Sequence, residues 1–259
     1  IYVAWLDERN IKKEPPPPPP SPTPALSNGE KPKHQHNHKE PNREVFFTVS
    51  TDGGKTFAAN KKLADEVCPC CDTSILASDD GKIYVSWRQV LPGEFRHIAV
   101  AASTDKGNNF AAPTVVSDDQ WQIAACPVSG ATLLSGADNS LKVLWFTAGK
   151  AGPPGLYLAE SKDGGKTFAP RTLVSEGLPT GTPSFLTDGN NKYSVVWGRE
   201  DAKVFVKNAE ASKISDAAEQ EMVSGELPSA TLVGGNVLAS YLKKEDGKRS
   251  IWLSVISTQ

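Results

Sequence analysis

The sequence predicts an all-β chain made of repeated four-stranded antiparallel units. Three observations predict it. A short β-branched strand ending in an aromatic residue occurs five times, at 1–5 (IYVAW), 83–87 (IYVSW), 141–145 (LKVLW), 193–197 (YSVVW) and 237–241 (VLASY). A second apolar strand follows each copy, at 45–49 (VFFTV), 97–101 (HIAVA), 155–159 (GLYLA), 204–207 (VFVK) and 251–255 (IWLSV). Turns rich in Gly, Asp and Asn bound these strands, and a weaker strand precedes all copies but the first, as at 73–77 (TSILA) and 131–134 (ATLL). Short strands recurring at roughly 50-residue spacing, once one Pro-rich stretch is set aside, indicate sheets stacked around an axis, a β-propeller.

Composition agrees with a folded body and excludes several roles. The 259 residues carry 28 Lys+Arg against 30 Asp+Glu, a net charge of −2, with 38% hydrophobic residues. That is enough apolar side chain for a large core. The charge balance argues against a nucleic-acid or membrane-surface binder. No apolar run reaches the roughly 18 residues that a membrane helix needs. One Met in the whole chain and a start at Ile1, inside a strand, lead us to expect a natural N-terminus further upstream. A signal peptide could have been cut away with it, so its absence says nothing about compartment.

Residues 11–42 stand apart from the repeat. Six prolines run from Pro15, and a polar tract carrying His34, His36 and His38 follows. Poly-proline cannot donate the backbone bonds that sheets need and prefers an extended, solvated form. The stretch is therefore read as a disordered insertion within a single domain spanning 1–259. Its alternating histidines would face one side of an extended chain and could grip a metal, or serve only as a solvated tract. The prolines could also be a contact element for a protein partner.

Three of the second strands run into near-identical turns: 50–57 (STDGGKTF), 103–110 (STDKGNNF) and 161–168 (SKDGGKTF). Asp52, Asp105 and Asp163 can accept bonds from turn amides, Gly54, Gly107 and Gly165 accommodate a positive φ, and the aromatic closes the edge. These octapeptides are the Asp-box, or BNR, motif, in which Asn109 stands for the usual Thr in the second copy. At these residues the chain resembles the sialidase-like propellers. The resemblance covers everything outside the insertion, although repeats four and five lack a recognisable box. It implies five four-stranded blades, the first and last incomplete, out of an expected six. The box itself is a folding device in that family and says nothing about chemistry.

Chemistry is expected at the rim where first strands begin and where the loops after the aromatic strands return. All four cysteines fall there, in two equivalent linkers holding Cys68, Cys70, Cys71 and Asp72, and Trp121, Cys126 and Ser129. Two readings compete for the sulfurs. Cys126 could bridge to Cys68, Cys70 or Cys71 in an oxidising compartment. Alternatively, thiolates could hold copper or zinc, although Cys-x-Cys-Cys is not the usual finger spacing. Trp121, Asp72 and Ser129 would line a ligand pocket. The resemblance implies a further reading, since sialidases clamp a substrate carboxylate with three arginines and use a Tyr–Glu nucleophile with an Asp as acid. Arg9, Arg88, Arg96 and Arg199 could form part of a clamp and Asp7 could be the acid, but no Tyr–Glu pair is evident. With its Cys-Pro-Cys-Cys signature the chain instead resembles a bacterial branch of the Asp-box proteins, expected to be secreted or periplasmic. Three functions thus compete: a propeller binding a small-molecule or carbohydrate ligand or a soft metal, a sialidase-type glycoside hydrolase, and a protein-interaction scaffold.

Overall fold

The computed structural model describes residues 1–11, 41–136, 138, 140–210 and 213–256. His34, His36 and His38, and the prolines before them, lie outside the described residues. Everything described is strand, turn or loop, with no α-helix among the described residues.

The strands form successive antiparallel meanders, one per sequence repeat. The first comprises β1 (Tyr2–Asp7), β2 (Arg43–Val49) and β3 (Lys61–Val67). The second comprises β4 (Ser74–Ala77), β5 (Ile83–Leu91), β6 (Phe95–Ser103) and β7 (Thr114–Val115). A single pairing, Val67 with Gln89, joins these two into one seven-stranded sheet. Two four-stranded sheets follow: β8 (Ala131–Ser135), β9 (Leu141–Thr147), β10 (Gly155–Ser161) and β11 (Thr172–Glu176), then β12 (Pro179–Thr187), β13 (Lys192–Arg199), β14 (Lys203–Glu210) and β15 (Gln220–Ser224). The last sheet holds β16 (Glu226–Val233), β17 (Asn236–Glu245) and β18 (Lys248–Ile256).

The aromatic-ended repeat forms β1, β5, β9, β13 and β17, the second strand of each full meander. These strands read as continuous apolar runs because both of their faces are buried. On β9, Val143 and Trp145 pack against Tyr84, Ile98 and Val100 of the preceding sheet. Leu144 and Phe146 on the same strand face Tyr193, Val195 and Trp197 of the following one. Similar layers join the first two meanders, through Val45, Phe47, Val85 and Trp87, and the last two, through Val196, Val204, Val237 and Tyr241. Trp87, Trp145 and Trp197 are among the largest fully buried side chains. Each such side chain contributes about 1.5–3 kcal/mol through burial.

First strands of neighbouring sheets are tied across a common axis. The Gly130 amide donates to Thr182 Oγ1 at 3.0 Å, and Thr132 Oγ1 to the Pro183 carbonyl. The Ala230 amide donates to Ser184 Oγ at 3.0 Å. The final sheet leaves one face open, with Ile251 76%, Leu253 67% and Val255 65% exposed on alternate positions of β18.

The three Asp turns share one hydrogen-bond pattern. Ser50 Oγ donates to Asp52 Oδ1 at 2.8 Å and accepts from the Gly54 amide, while Asp52 accepts from the amide and hydroxyl of Thr56. Ser161, Asp163, Gly165 and Thr167 repeat it. In the second copy Asn109 Nδ2 donates to Asp105 Oδ2 at 2.7 Å, replacing the missing threonine hydroxyl. These donors hold all three carboxyls below the usual range.

Gly107 has a second duty. Its φ is +83°, and a Cβ there would come within 2.5 Å of Phe47 Cζ, a fully buried ring. Gly107→Ala should therefore cost about 2–4 kcal/mol, from backbone strain plus overpacking. Gly81→Ala, at φ +81° with open space around it, should cost only the strain, about 1–2 kcal/mol. Urea unfolding midpoints measure both, and equal losses would contradict the steric account.

Candidate functional site

The two cysteine-bearing linkers meet at one rim. Cys70 and Cys126, one from each, form a disulfide with a Cα separation of 6.1 Å. The linkers also touch through backbone, since a Cβ on Gly130 would lie 2.4 Å from the Asp72 carbonyl oxygen. Only glycine permits that approach. Of the three cysteines that Cys126 could reach, it is the middle one, Cys70, that it bonds.

Cys68 and Cys71 stay free and fully buried, with their Sγ atoms 3.2 Å apart. They are the ends of a Cys-x2-Cys segment hidden inside 68–71 (CPCC). The Cys71 thiol donates toward Cys68, the Cys70 amide adds a second donor, and the charges of Arg96 and Arg88 assist, so Cys68 falls to about 6. Cys71, giving up its hydrogen bond on ionisation and buried away from water, moves the opposite way. The sulfurs of Cys68, Cys70 and Cys126 lie within 4.8 Å of one another, and no histidine or carboxylate joins them among the described residues. Two of those sulfurs share the disulfide, so a three-thiolate metal set forms only after reduction.

Arg88 and Arg96 belong to paired strands rather than to the loops after the aromatic strands. The hairpin pairs as far as Leu91 with Phe95, which places Arg88 on β5 and Arg96 on β6. Arg88 is fully buried. Its Nε and Nη2 donate to the Ser129 carbonyl at 3.1 and 2.9 Å, and Nη2 also to the Phe146 carbonyl at 2.9 Å. Trp121 lies over its guanidinium at 4.9 Å and packs edge-on to Phe146. Trp121 is itself buried and caps Arg88, and Ser129 acts through its carbonyl. Arg96 donates to the Ile123 carbonyl and to Glu94.

The other two arginines are engaged elsewhere. Arg9 pairs with Asp7 at 2.6 Å and stacks over Phe46. Arg199, at the end of β13, binds Glu219 and Ser175 and lies over Phe205. Asp7 is held far below the usual carboxylate range by Arg9 and by the Trp5 indole N–H, the reverse of what an acid catalyst requires.

Asp72 lies where the first strands converge. It accepts a hydrogen bond from Thr182 Oγ1 at 3.0 Å, and that hydroxyl also receives the Gly130 amide. Around it opens a cavity of about 480 Å³, lined by Asp72, Thr132, Thr182, Phe185, Leu227 and Ser229 among others. A second cavity, of about 510 Å³, runs beside the β5–β6 hairpin tip against Phe95, His97, Asp118 and Gln122.

Sequence reading missed Asp119. This fully buried carboxylate accepts from the Trp145 indole at 2.7 Å and pairs with Arg171 at 2.6 Å. One signal could have found it. A buried indole N–H needs an acceptor. The equivalent Trp5 and Trp87 use Asp7 and Gln89, two residues along. The corresponding residue after Trp145 is Thr147, so the partner had to come from another element.

No protein-family model matches the chain, and no curated protein matches it in sequence. Solved structures do. A protein of unknown function from Dyadobacter fermentans superposes with a TM-score of 0.56 at 19% identity, over 87% of this chain and 69% of that one. The leech intramolecular trans-sialidase gives 0.51 at 15% identity, and that from Ruminococcus gnavus 0.50 at 14%. The fold is a β-propeller. The chain spans 36% and 51% of the two trans-sialidases, and at these identities the propeller likeness extends to the fold alone.

The Cys68 environment sets a pH dependence. An unfolded thiol titrates near 9.0 and the folded Cys68 near 6, so between those values the unfolded chain binds more protons. Stability should rise with pH across 6 to 9 and be lost below, until Cys71, shifted upward, opposes the trend above 9. Urea unfolding at several pH values should show that slope, and Cys68→Ser should flatten it. A wild-type protein with no slope would mean that Cys68 carries no charge.

Proposed function

We propose that this chain is an extracytoplasmic, sialidase-like β-propeller that binds a polyhydroxylated small molecule, a carbohydrate, at the cysteine-bearing mouth of its axial channel. The observation that carries this reading is the bond from Thr182 to Asp72 at the edge of the 480 Å³ cavity. Thr132, Ser184, Ser229 and Asp72 line the same cavity as Phe185 and Leu227. Sugars offer that combination, hydroxyl edges that exchange hydrogen bonds and carbon faces that lie on apolar side chains. Placement outside the cytoplasm is supported by the cross-linked linkers, because disulfides persist in oxidising compartments. A six-bladed ring is supported by the apolar row Ile251, Leu253 and Val255, which matches the faces that other sheets bury against a neighbour.

Binding without turnover fits better than hydrolysis. The guanidiniums of Arg9, Arg88, Arg96 and Arg199 all donate to protein acceptors, and two of them are buried. A substrate carboxylate would have to displace those acceptors.

Calorimetric titration against neutral and acidic monosaccharides tests the reading. Asp72→Asn should weaken binding about tenfold or more, the effect of losing a charge-assisted hydrogen bond of about 1.5–3 kcal/mol. Arg9→Ala should leave affinity unchanged. Binding that Asp72→Asn does not alter would remove the site from the channel mouth. Release of a fluorogenic sialoside's leaving group would favour the hydrolase instead.

A further inference from the structure

The free thiols have no part in ligand binding, yet they stand in sequence behind the disulfide. Cys71 Sγ is 3.2 Å from Cys68 Sγ, and Cys68 Sγ is 3.9 Å from Cys70 Sγ, which is bonded to Cys126. The inner two are fully buried, Cys70 is half-buried and Cys126 is exposed. Four sulfurs thus form a continuous row from the interior to the solvent. The 3.9 Å gap is close to the roughly 3–3.5 Å at which reacting atoms meet.

We propose that this row is a dithiol–disulfide relay, which carries two electrons from the buried Cys68/Cys71 pair through Cys70–Cys126 to an external disulfide. In the first step the Cys68 thiolate attacks Cys70 Sγ. A Cys68–Cys70 bond forms, the Cys70–Cys126 bond breaks, and its electron pair leaves on Cys126. Cys71 then attacks Cys68, so that Cys68–Cys71 forms and Cys70 departs as a thiol, taking the Cys71 proton, while Cys126 remains a thiolate. The electrons of the buried dithiol now rest on Cys70 and Cys126, and the exposed one meets the external disulfide. Cys126, deprotonated, opens that disulfide, and Cys70 resolves the mixed disulfide and restores Cys70–Cys126. One external disulfide becomes two thiols, their protons supplied by Cys71 and by water, and the chain ends with two disulfides.

The surroundings favour this chemistry. Arg88 is a fully buried cation whose oxygen partners are neutral carbonyls. Arg88 and Arg96 each keep a buried Nη1 that meets no oxygen acceptor. Exchange spreads negative charge along the row of sulfurs, and these two cations stabilise it. The relay is independent of any ligand at Asp72.

The test uses the full chain in glutathione buffers of increasing oxidised fraction, quenched with acid, alkylated and mapped by mass spectrometry. Cys68–Cys71 should accumulate alongside Cys70–Cys126, with one oxidised glutathione consumed per chain. Cys71→Ala should slow that consumption at least tenfold. Cys68 and Cys71 remaining alkylatable at every ratio, with Cys70–Cys126 the only linkage, would overturn the proposal. So would isolation of four reduced thiols holding stoichiometric copper or zinc. The pairing map is made on the unaltered chain, so a variant that fails to fold does not decide the matter.

Discussion

A sheet flanked by two others in this protein has to bury both of its faces. A sheet in a sandwich hides one face and wets the other, so its strands alternate apolar and polar residues. Here Val143 and Trp145 serve one interface while Leu144 and Phe146, their immediate neighbours on the same strand, serve the next. That demand explains the unbroken apolar runs that mark the repeat. It also explains why Trp87, Trp145 and Trp197 are buried outright, and why β18 presents an apolar face that no further sheet covers among the described residues.

Radial packing leaves function to the rim. First strands converge near the axis, where side-chain hydroxyls and backbone amides knit one sheet to the next through Thr132, Thr182 and Ser184. Linkers that cross from one sheet to another must start there, so equivalent linkers of adjacent repeats become neighbours. The Cys70–Cys126 bond and the close approach of Gly130 to Asp72 are consequences of that adjacency. Asp72 follows Cys71 directly, so the cavity and the sulfur row share one linker.

Electrostatics then separates the four cysteines into different roles. Arg88 is buried beneath Trp121 with carbonyl partners that solvate but do not neutralise it. A buried charge needs compensation, and the adjacent thiol pair can supply it by ionising one member. Hydrogen bonding from Cys71 selects Cys68 as that member. A residue type that suggested a carboxylate clamp for substrate thereby becomes a support for sulfur chemistry.

Much of this architecture was legible in the residues alone. The aromatic-ended strands, their partners and the Asp turns are local patterns, set by strand periodicity and by hydrogen bonds spanning four residues, and the sheets follow them closely. The meeting of the two cysteine linkers followed from the repeat as well. What only the tertiary structure decided depends on positions across sheets: which sulfur Cys126 joins, that Arg88 points into the core rather than toward solvent, and that Trp145 finds Asp119 while its counterparts use near neighbours. Spacing along a chain brings groups to the same rim, but ångström-scale packing between sheets determines which of them bond, and no local pattern encodes that.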